Sequence, residues 1–178
     1  MTETIPTQLR EMIDTDLLMV LEWRNHPDVQ KYMYTSDEIS YEDHKKWFER
    51  SLQNPKVHIL IFEKDATPLG FVKISEKPDG RIGEWGFYME PAVPRGNGLL
   101  LGQTALSYVF HNLKLHKLCG ESFADNLASI RFHEKLGFTQ EGFSRDQHFD
   151  GEHYRNIAYY GLLYEDWQKV QNLNKGNK

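Results

Sequence analysis

A glycine-rich turn between a strand and a helix constrains this chain more than any other segment. The apolar residues 83–89 predict a strand, and the segment that follows carries Gly96, Gly98 and Gly102. A helix is predicted to begin at or near Gly98. Backbone N–H groups in such a turn point at one spot, and the helix dipole adds partial positive charge there. This segment therefore predicts a site for an anion, and a diphosphate would suit it.

Several interpretations fit these glycines. The spacing Gly96-x-Gly98-x-x-x-Gly102 is a variant of the dinucleotide-binding fingerprint, and Glu121 follows at roughly the twenty-residue distance that this fold requires. That fold also needs repeated βαβ units, whereas the sequence predicts hairpin-linked strands before the turn and a single helix before two long final strands. The pair Leu99-Leu100 excludes the diphosphate loop that ends in Lys-Ser/Thr. A purely structural turn stays open at this point.

The size and charge of the chain exclude other classes of protein. The 178 residues suit one domain, predicted over 1–171, with a disordered tail over 172–178. A net charge of −5 gives no basic face for nucleic acid. Cys119 is the only cysteine, which excludes an internal disulfide or a cysteine zinc site and fits the cytoplasm. No apolar run is long enough for a membrane span, and we expect no metal ion.

The pattern of apolar residues predicts a mixed α/β fold in which helices cover both faces of one sheet. Predicted strands cover 9–13, 58–63, 69–75, 82–89, 115–123, 140–149 and 153–164. A first helix is predicted to begin after Asp16, which would be its N-cap, and a short helical piece is predicted to end at Tyr34. Further helices are predicted over 40–52, 98–112 and 126–136. Ser40 with Asp43 three residues later predicts the N-cap of the third helix.

Two motifs carry a resemblance to a known family. Arg95-Gly96-Asn97-Gly98-Leu99-Leu100 resembles the Arg/Gln-x-x-Gly-x-Gly/Ala loop of the GNAT superfamily of acetyl-CoA-dependent N-acetyltransferases. Residues 126–138 are similar to the second part of its signature, Asn-x-x-Ala/Ser-Ile-x-x-Tyr-x-Lys-x-Gly-Phe. The resemblance implies a mostly antiparallel sheet that is splayed between its fourth and fifth strands. It also implies that the glycine loop binds the diphosphate of acetyl-CoA.

The same resemblance implies which residues bind the donor. They are Met89, Glu90, Val93, Arg95, Gly96, Asn97, Gly98, Leu99, Leu100, Asn126 and Ser129. Asn126 is equally a candidate for the N-cap of its own helix. Leu100 departs from the family, which prefers Gly or Ala there. If its side chain turns to the core, nothing is lost, whereas a side chain that faces the phosphates would put the affinity for the donor in doubt.

The catalytic residues are predicted from what acetyl transfer to an amine requires. The enzyme must accept a proton from the amine, stabilise an oxyanion and protonate the leaving thiolate. His133 occupies the position where the family carries a tyrosine general acid, and as an imidazolium with a pKa near ~6.5 it could donate that proton. It could equally order a water molecule or simply pack there. Glu84, or Glu121 on the neighbouring strand, is a candidate general base, although a structural carboxylate is the alternative for each.

The acceptor is inferred from the N-terminal third. Residues 23–36 look like the branch that acetylates a nucleotide-linked 4-amino-6-deoxy sugar, such as a UDP sugar, in pseudaminic acid biosynthesis. Candidate substrate-binding residues are Arg24, Tyr32, Met33, Tyr34, Trp47 and Tyr88. A polyamine such as spermidine, a ribosomal-protein N-terminus and a non-catalytic acyl-CoA sensor are the alternatives. The oligomeric state stays open, and a homodimer is possible.

Overall fold

The computed structural model describes residues 6–78 and 80–176, and this part of the chain forms a seven-stranded mixed sheet. The strands are β1 (Thr7–Glu11), β2 (Val57–Lys64), β3 (Thr67–Glu76), β4 (Ile82–Met89), β5 (Lys117–Phe123), β6 (Thr139–Phe149) and β7 (Tyr154–Leu163). Their order in the sheet is β1-β2-β3-β4-β5-β7-β6. The β4–β5 pair is parallel, whereas β1–β2, β2–β3, β5–β7 and β6–β7 are antiparallel. The predicted fold class is confirmed.

Six α-helices accompany the strands in the described residues. They are α1 (Leu17–Asn25), α2 (Pro27–Gln30), α3 (Tyr41–Leu52), α4 (Asn97–Ser107), α5 (Leu127–Lys135) and α6 (Tyr164–Gly176). Ser40 caps α3 as predicted, since its side chain accepts a hydrogen bond from the Asp43 N–H at 3.1 Å. A 3₁₀ turn precedes α1, and α4 continues into a π-helical turn over Tyr108–Asn112. No helix within 6–78 and 80–176 is long and apolar enough to cross a membrane.

The backbone contacts divide the chain into two compact units. The first contains the residues up to Ser75 together with Trp85–Leu106, and the second contains Glu76–Glu84 and the residues from Ser107 onward. The prediction of one domain over 1–171 stays a prediction.

The core of the first unit forms around β2. The run from Ile59 to Phe62 is fully buried, as expected for a strand that is covered on both faces. Its neighbours in the core include Met12, Leu17, Val20, Phe48 and Phe71, from the segment after β1, from α1 and α3, and from β3.

A largely buried ionic network joins β1, the segment before α1 and the end of β2. Arg10 contacts the carboxylates of Asp16 at 2.6 Å and Glu63 at 2.7 Å, and both acids are largely buried. Asp16 was predicted to cap the first helix, but its side chain makes no cap hydrogen bond to α1. Its carboxylate instead accepts the Ile13 N–H at 2.9 Å, because Arg10 holds it on that side. Asp16 therefore occupies the predicted N-cap position of α1, but its side chain bonds to the segment before the helix.

The second unit is built on β5, β6 and β7. The parallel register pairs Ile82–Glu84 with Lys117–Cys119. On its other edge all of β5 pairs with β7, from Lys117 opposite Leu163 to Phe123 opposite Ile157. The sequence did not predict α6, which continues to Gly176. The disordered tail predicted over 172–178 stays a prediction, and 177 and 178 lie outside the described residues.

Candidate functional site

The glycine-rich segment joins β4 to α4 in the first unit. The Glu90 N–H donates to the Leu69 carbonyl at 2.9 Å, which holds the end of β4 against β3. The Val93 N–H then donates to the Glu90 carbonyl at 3.1 Å, and the chain turns into α4 at Asn97. The predicted strand, turn and helix are therefore present in this order. The predicted donor-binding residues Met89, Glu90, Val93, Arg95, Gly96, Asn97, Gly98, Leu99 and Leu100 lie together in this segment.

Two glycines leave the outer face of this turn open. Gly96 has a φ of +95°, a left-handed conformation that favours glycine. A Cβ atom added at Gly96 or Gly98 would meet no described atom within 4 Å. The first N–H groups of a helix have no partner within the helix. The turn therefore has both the open space and the donors that a diphosphate requires.

Three neighbouring side chains differ in their availability to a ligand. Arg95 is exposed, so its guanidinium can approach an anion. Asn97 is buried, and its side-chain amide is already bonded to the Pro94 carbonyl at 2.9 Å and to Lys64 Nζ at 3.1 Å. Asn97 can therefore serve a ligand through its backbone but not through its amide. Leu100 is half-buried.

A ladder of rings lies in the first unit, close to the end of β4. Tyr88 stacks on Phe71 with ring centroids 4.9 Å apart, and the edge of Trp47 meets Phe71 at 5.9 Å. His44 stacks on Trp47 at 5.1 Å. The sequence predicted Trp47 and Tyr88 as substrate-binding residues, and the structure brings them together through Phe71.

Arg24 is buried beside this ladder. Its Nη2 donates to the carbonyl of Thr35 at 3.0 Å and to the Thr35 hydroxyl at 2.9 Å. Burial lowers the pKa of Arg24, and the proximity of Tyr88 raises it in part. An arginine nevertheless stays charged. No acidic side chain of the described residues forms an ion pair with Arg24, and its Nη1 is buried without a hydrogen-bond partner there.

The sequence analysis missed His44, which lies next to this guanidinium. Its ring is buried, and its Nε2 has no hydrogen-bond partner in the described part of the chain. Burial lowers the pKa of His44, the Leu17 backbone raises it in part, and Arg24 lowers it further. This shift favours the neutral form of the ring. The i, i+3 spacing of His44 and Trp47 on an amphipathic helix was the available signal.

The other predicted acceptor residues lie nearer the surface. Tyr32 and Tyr34 are 42% and 44% exposed, and Met33 is half-buried between them. The ammonium of Lys31 lies 5.2 Å from the centre of the Tyr32 ring. These residues belong to the segment that leads from α2 to Thr35, which Arg24 holds.

The second signature, residues 126–138, covers the whole of α5 in the second unit. The side chain of Asn126 accepts the Ser129 N–H at 3.1 Å and so caps the helix, which confirms the capping interpretation. The Ser129 carbonyl lies 2.8 Å from Nδ1 of His133 one turn later. Contact of Asn126 or Ser129 with the donor stays a prediction.

His133 is a core residue of this unit. Its ring is 1% exposed and stacks on Tyr160 with centroids 4.4 Å apart. Burial lowers its pKa to about 4, although the Ser129 backbone opposes this shift. This lowered pKa disfavours an imidazolium at neutral pH, and the role of His133 as general acid stays a prediction.

The predicted general bases, Glu84 and Glu121, lie on β4 and β5 in the second unit. The Glu84 carboxylate forms an ion pair with Lys77 at 2.6 Å near the beginning of β4, where its side chain is 58% exposed. Glu121 lies on β5 opposite Tyr159 and is exposed. A general base at either position stays a prediction. Within the described residues, no three His, Cys, Asp or Glu side chains are close enough to hold a metal ion.

Comparison with known proteins adds relatives in sequence and in structure. Acetyltransferase PseH of Campylobacter jejuni (strain 81-176) is 29% identical over 132 residues, which cover 72% of this chain and 80% of that protein. The spermidine N-acetyltransferase of Vibrio cholerae, solved in complex with CoA and spermine, superposes with a TM-score of 0.85 at 20% identity, covering 91% and 98% of the two chains. The ribosomal-protein-alanine N-acetyltransferase of Brucella melitensis superposes with a TM-score of 0.75 at 19% identity, covering 87% and 98%. The two structural matches show the fold alone.

The family follows from a match over most of the chain. The model of the acetyltransferase (GNAT) domain matches residues 7–139, which include the glycine-rich turn and both signature motifs. This chain belongs to the GNAT acetyltransferase family and is an acetyl-CoA-dependent N-acetyltransferase.

Proposed function

We propose that this enzyme acetylates the 4-amino group of a UDP-linked 4-amino-4,6-dideoxy sugar, a step of pseudaminic acid biosynthesis. The observation that carries the choice of acceptor is the buried Arg24, whose charge no described carboxylate neutralises. A buried unpaired cation is costly, and an anionic group of the substrate would offset that cost. The diphosphate of a nucleotide sugar supplies such a group.

The rings beside Arg24 suit the rest of that acceptor. Tyr88, Phe71 and Trp47 present apolar faces on which a deoxy sugar or a uracil base can stack. We place Tyr32, Met33 and Tyr34, in the segment held by Arg24, along the same acceptor. The similarity to acetyltransferase PseH supports this class of acceptor.

A polyamine is the second candidate, because the spermidine N-acetyltransferase of Vibrio cholerae shares the fold. A polycation requires carboxylates at its binding site, and a buried guanidinium would repel it. Arg24 therefore favours the nucleotide sugar over spermidine.

In the proposed reaction the turn 90–100 binds the diphosphate of acetyl-CoA through its backbone N–H groups and Arg95. The acceptor nitrogen attacks the thioester carbonyl, so that a C–N bond forms and a tetrahedral oxyanion develops. A backbone N–H near Met89 would stabilise this oxyanion. The C–S bond then breaks, the thiolate takes up a proton, and the amine loses one. Glu84 stays the proposed proton acceptor, and the proton donor is unassigned.

We further propose that the enzyme acts in the cytoplasm, where a lone cysteine stays reduced, and that it forms a homodimer. Light scattering on the purified protein would measure its mass in solution, and a mass of one chain would contradict the homodimer.

The test of the acceptor is CoA release with UDP-linked 4-amino sugars, spermidine and peptides as substrates. We expect turnover with the amino sugars. Replacing Arg24 by Met should lower kcat/KM for the amino sugar by about 100-fold, because a buried charge pair is lost. Arg24→Lys should retain part of the activity, and Arg50→Met, on the exposed surface of α3, is the control. Fast turnover of spermidine without turnover of the sugars would overturn the proposal.

A further inference from the structure

Lys64 lies outside both signature motifs but reaches the glycine-rich turn. It is the last residue of β2, which carries a register irregularity between Phe62 and Glu63. Asp65 and Ala66 follow with φ values of 51° and 56°, a turn conformation that residues other than glycine seldom adopt. Such irregularities redirect side chains at the ends of strands. Here the side chain of Lys64 is directed to α4.

The contact of Lys64 is made with the first residue of α4. Its Nζ donates to Asn97 Oδ1 at 3.1 Å, and the Asn97 Nδ2 donates to the Pro94 carbonyl at 2.9 Å. Asn97 is 6% exposed, so both of its amide ends are engaged in a buried site. These two hydrogen bonds therefore fix the turn Pro94–Asn97, while Arg95 and Gly96 in the same turn remain exposed.

The electrostatics of this contact are unusual for a structural lysine. The beginning of a helix carries partial positive charge and disfavours a cation. No described carboxylate lies within ion-pair distance of Lys64. We therefore attribute the position of this ammonium to its hydrogen bond with Asn97.

We propose that Lys64 is a positioning residue for the donor substrate, which acts through Asn97 to fix the turn in its binding conformation. This inference rests on the proposed binding of the acetyl-CoA diphosphate by that turn. When the turn is already fixed before binding, less conformational entropy is lost as the ligand binds, and the affinity is higher. Lys64 should therefore affect the affinity for the donor without affecting the chemical step.

The experiment is a double-mutant cycle of Lys64→Met and Asn97→Ala, with the Kd for CoA measured by calorimetry. Each single variant should raise the Kd about fivefold to tenfold, the effect of losing one or two hydrogen bonds. Because Lys64 acts through Asn97, the double variant should bind no more weakly than Asn97→Ala alone. The KM for acetyl-CoA should follow the Kd while kcat stays at the wild-type value. Lys64→Arg should restore most of the affinity.

Lys45→Met, which removes an exposed lysine of α3, is the matched control and should not change the Kd. Additive effects in the double variant would overturn the proposal, because Lys64 would then act independently of Asn97. A loss that appears with CoA but not with dephospho-CoA would also overturn it, since Lys64 would then contact the 3′-phosphate directly. Wild-type protein that does not bind CoA would contradict the proposed function itself, which separates the two failures.

Discussion

The glycine at the start of α4 offers the sharpest test of the donor site. Gly98 is the second residue of the helix, and its φ is not in the left-handed region, so alanine can adopt this backbone. A Cβ atom there would meet no described atom within 4 Å. The Gly98→Ala substitution should therefore leave the fold intact. Alanine should even stabilise the helix by about 0.5–1 kcal/mol.

The same methyl group would occupy the space that we assign to the diphosphate. A ligand that is pushed outward loses at least one charge-assisted hydrogen bond from the helix N–H groups, which is worth about 1.5–3 kcal/mol. This loss corresponds to a Kd for CoA that is roughly 10- to 100-fold higher. Gly98→Ala is therefore predicted to raise the melting temperature and to weaken binding.

Calorimetric titration with CoA and thermal unfolding measure these two effects on the same samples. Gln103→Ala, at an exposed position of the same helix, is the control and should leave CoA binding unchanged. Wild-type affinity in a folded Gly98→Ala variant would refute the assignment of this space to the diphosphate.

Three further predictions concern turnover and stability. His133→Phe should lower kcat less than about threefold, because the buried ring is neutral at pH 7; a steady-state loss near 100-fold, typical of a general acid, would contradict this. Gly70→Ala should lower the free energy of unfolding by about 1–3 kcal/mol in denaturant titrations, because its Cβ would lie 2.6 Å from Leu101 Cδ1. An unchanged midpoint would contradict this, since Leu101 would then have moved away without cost. Glu63→Gln should cost about 1–3 kcal/mol at pH 7, because the bond to Arg10 is no longer an ion pair. Because that bond lowers the pKa of Glu63 below 4.5, its contribution is complete above pH 4.5 and is lost as the pH falls through the folded-state value, so the two proteins should converge in acid unfolding curves.

Elements with strong local signals were predictable from the sequence. The pattern of apolar residues and the flanking turns correctly predicted that β4 ends at Met89. The spacing of Ser40 and Asp43 correctly predicted the start of α3. Asn126 was correctly placed as a cap because capping depends only on residues within one turn. The family followed from the two motifs, because the turn and α5 are each a contiguous stretch of chain.

Features that depend on residues far apart in sequence were not predictable. The ion pair of Asp16 was not predicted, because the sequence does not show that Arg10 contacts both Asp16 and Glu63 in one buried network. The pKa of His133 depends on packing against Tyr160, which comes from a strand 27 positions later in the numbering. The helix α6 was missed because its apolar face becomes apparent only when Trp167 packs against Phe110.

The central claim is that the backbone of the turn 90–100 binds the diphosphate of the donor. Hydrogen–deuterium exchange with and without CoA, read on peptides that span residues 90–101, measures this most directly. We predict slower exchange of the amides at the start of α4, with no matching change in the exposed α3 peptide. Saturating CoA that protects other peptides but leaves these amides unchanged would contradict the account.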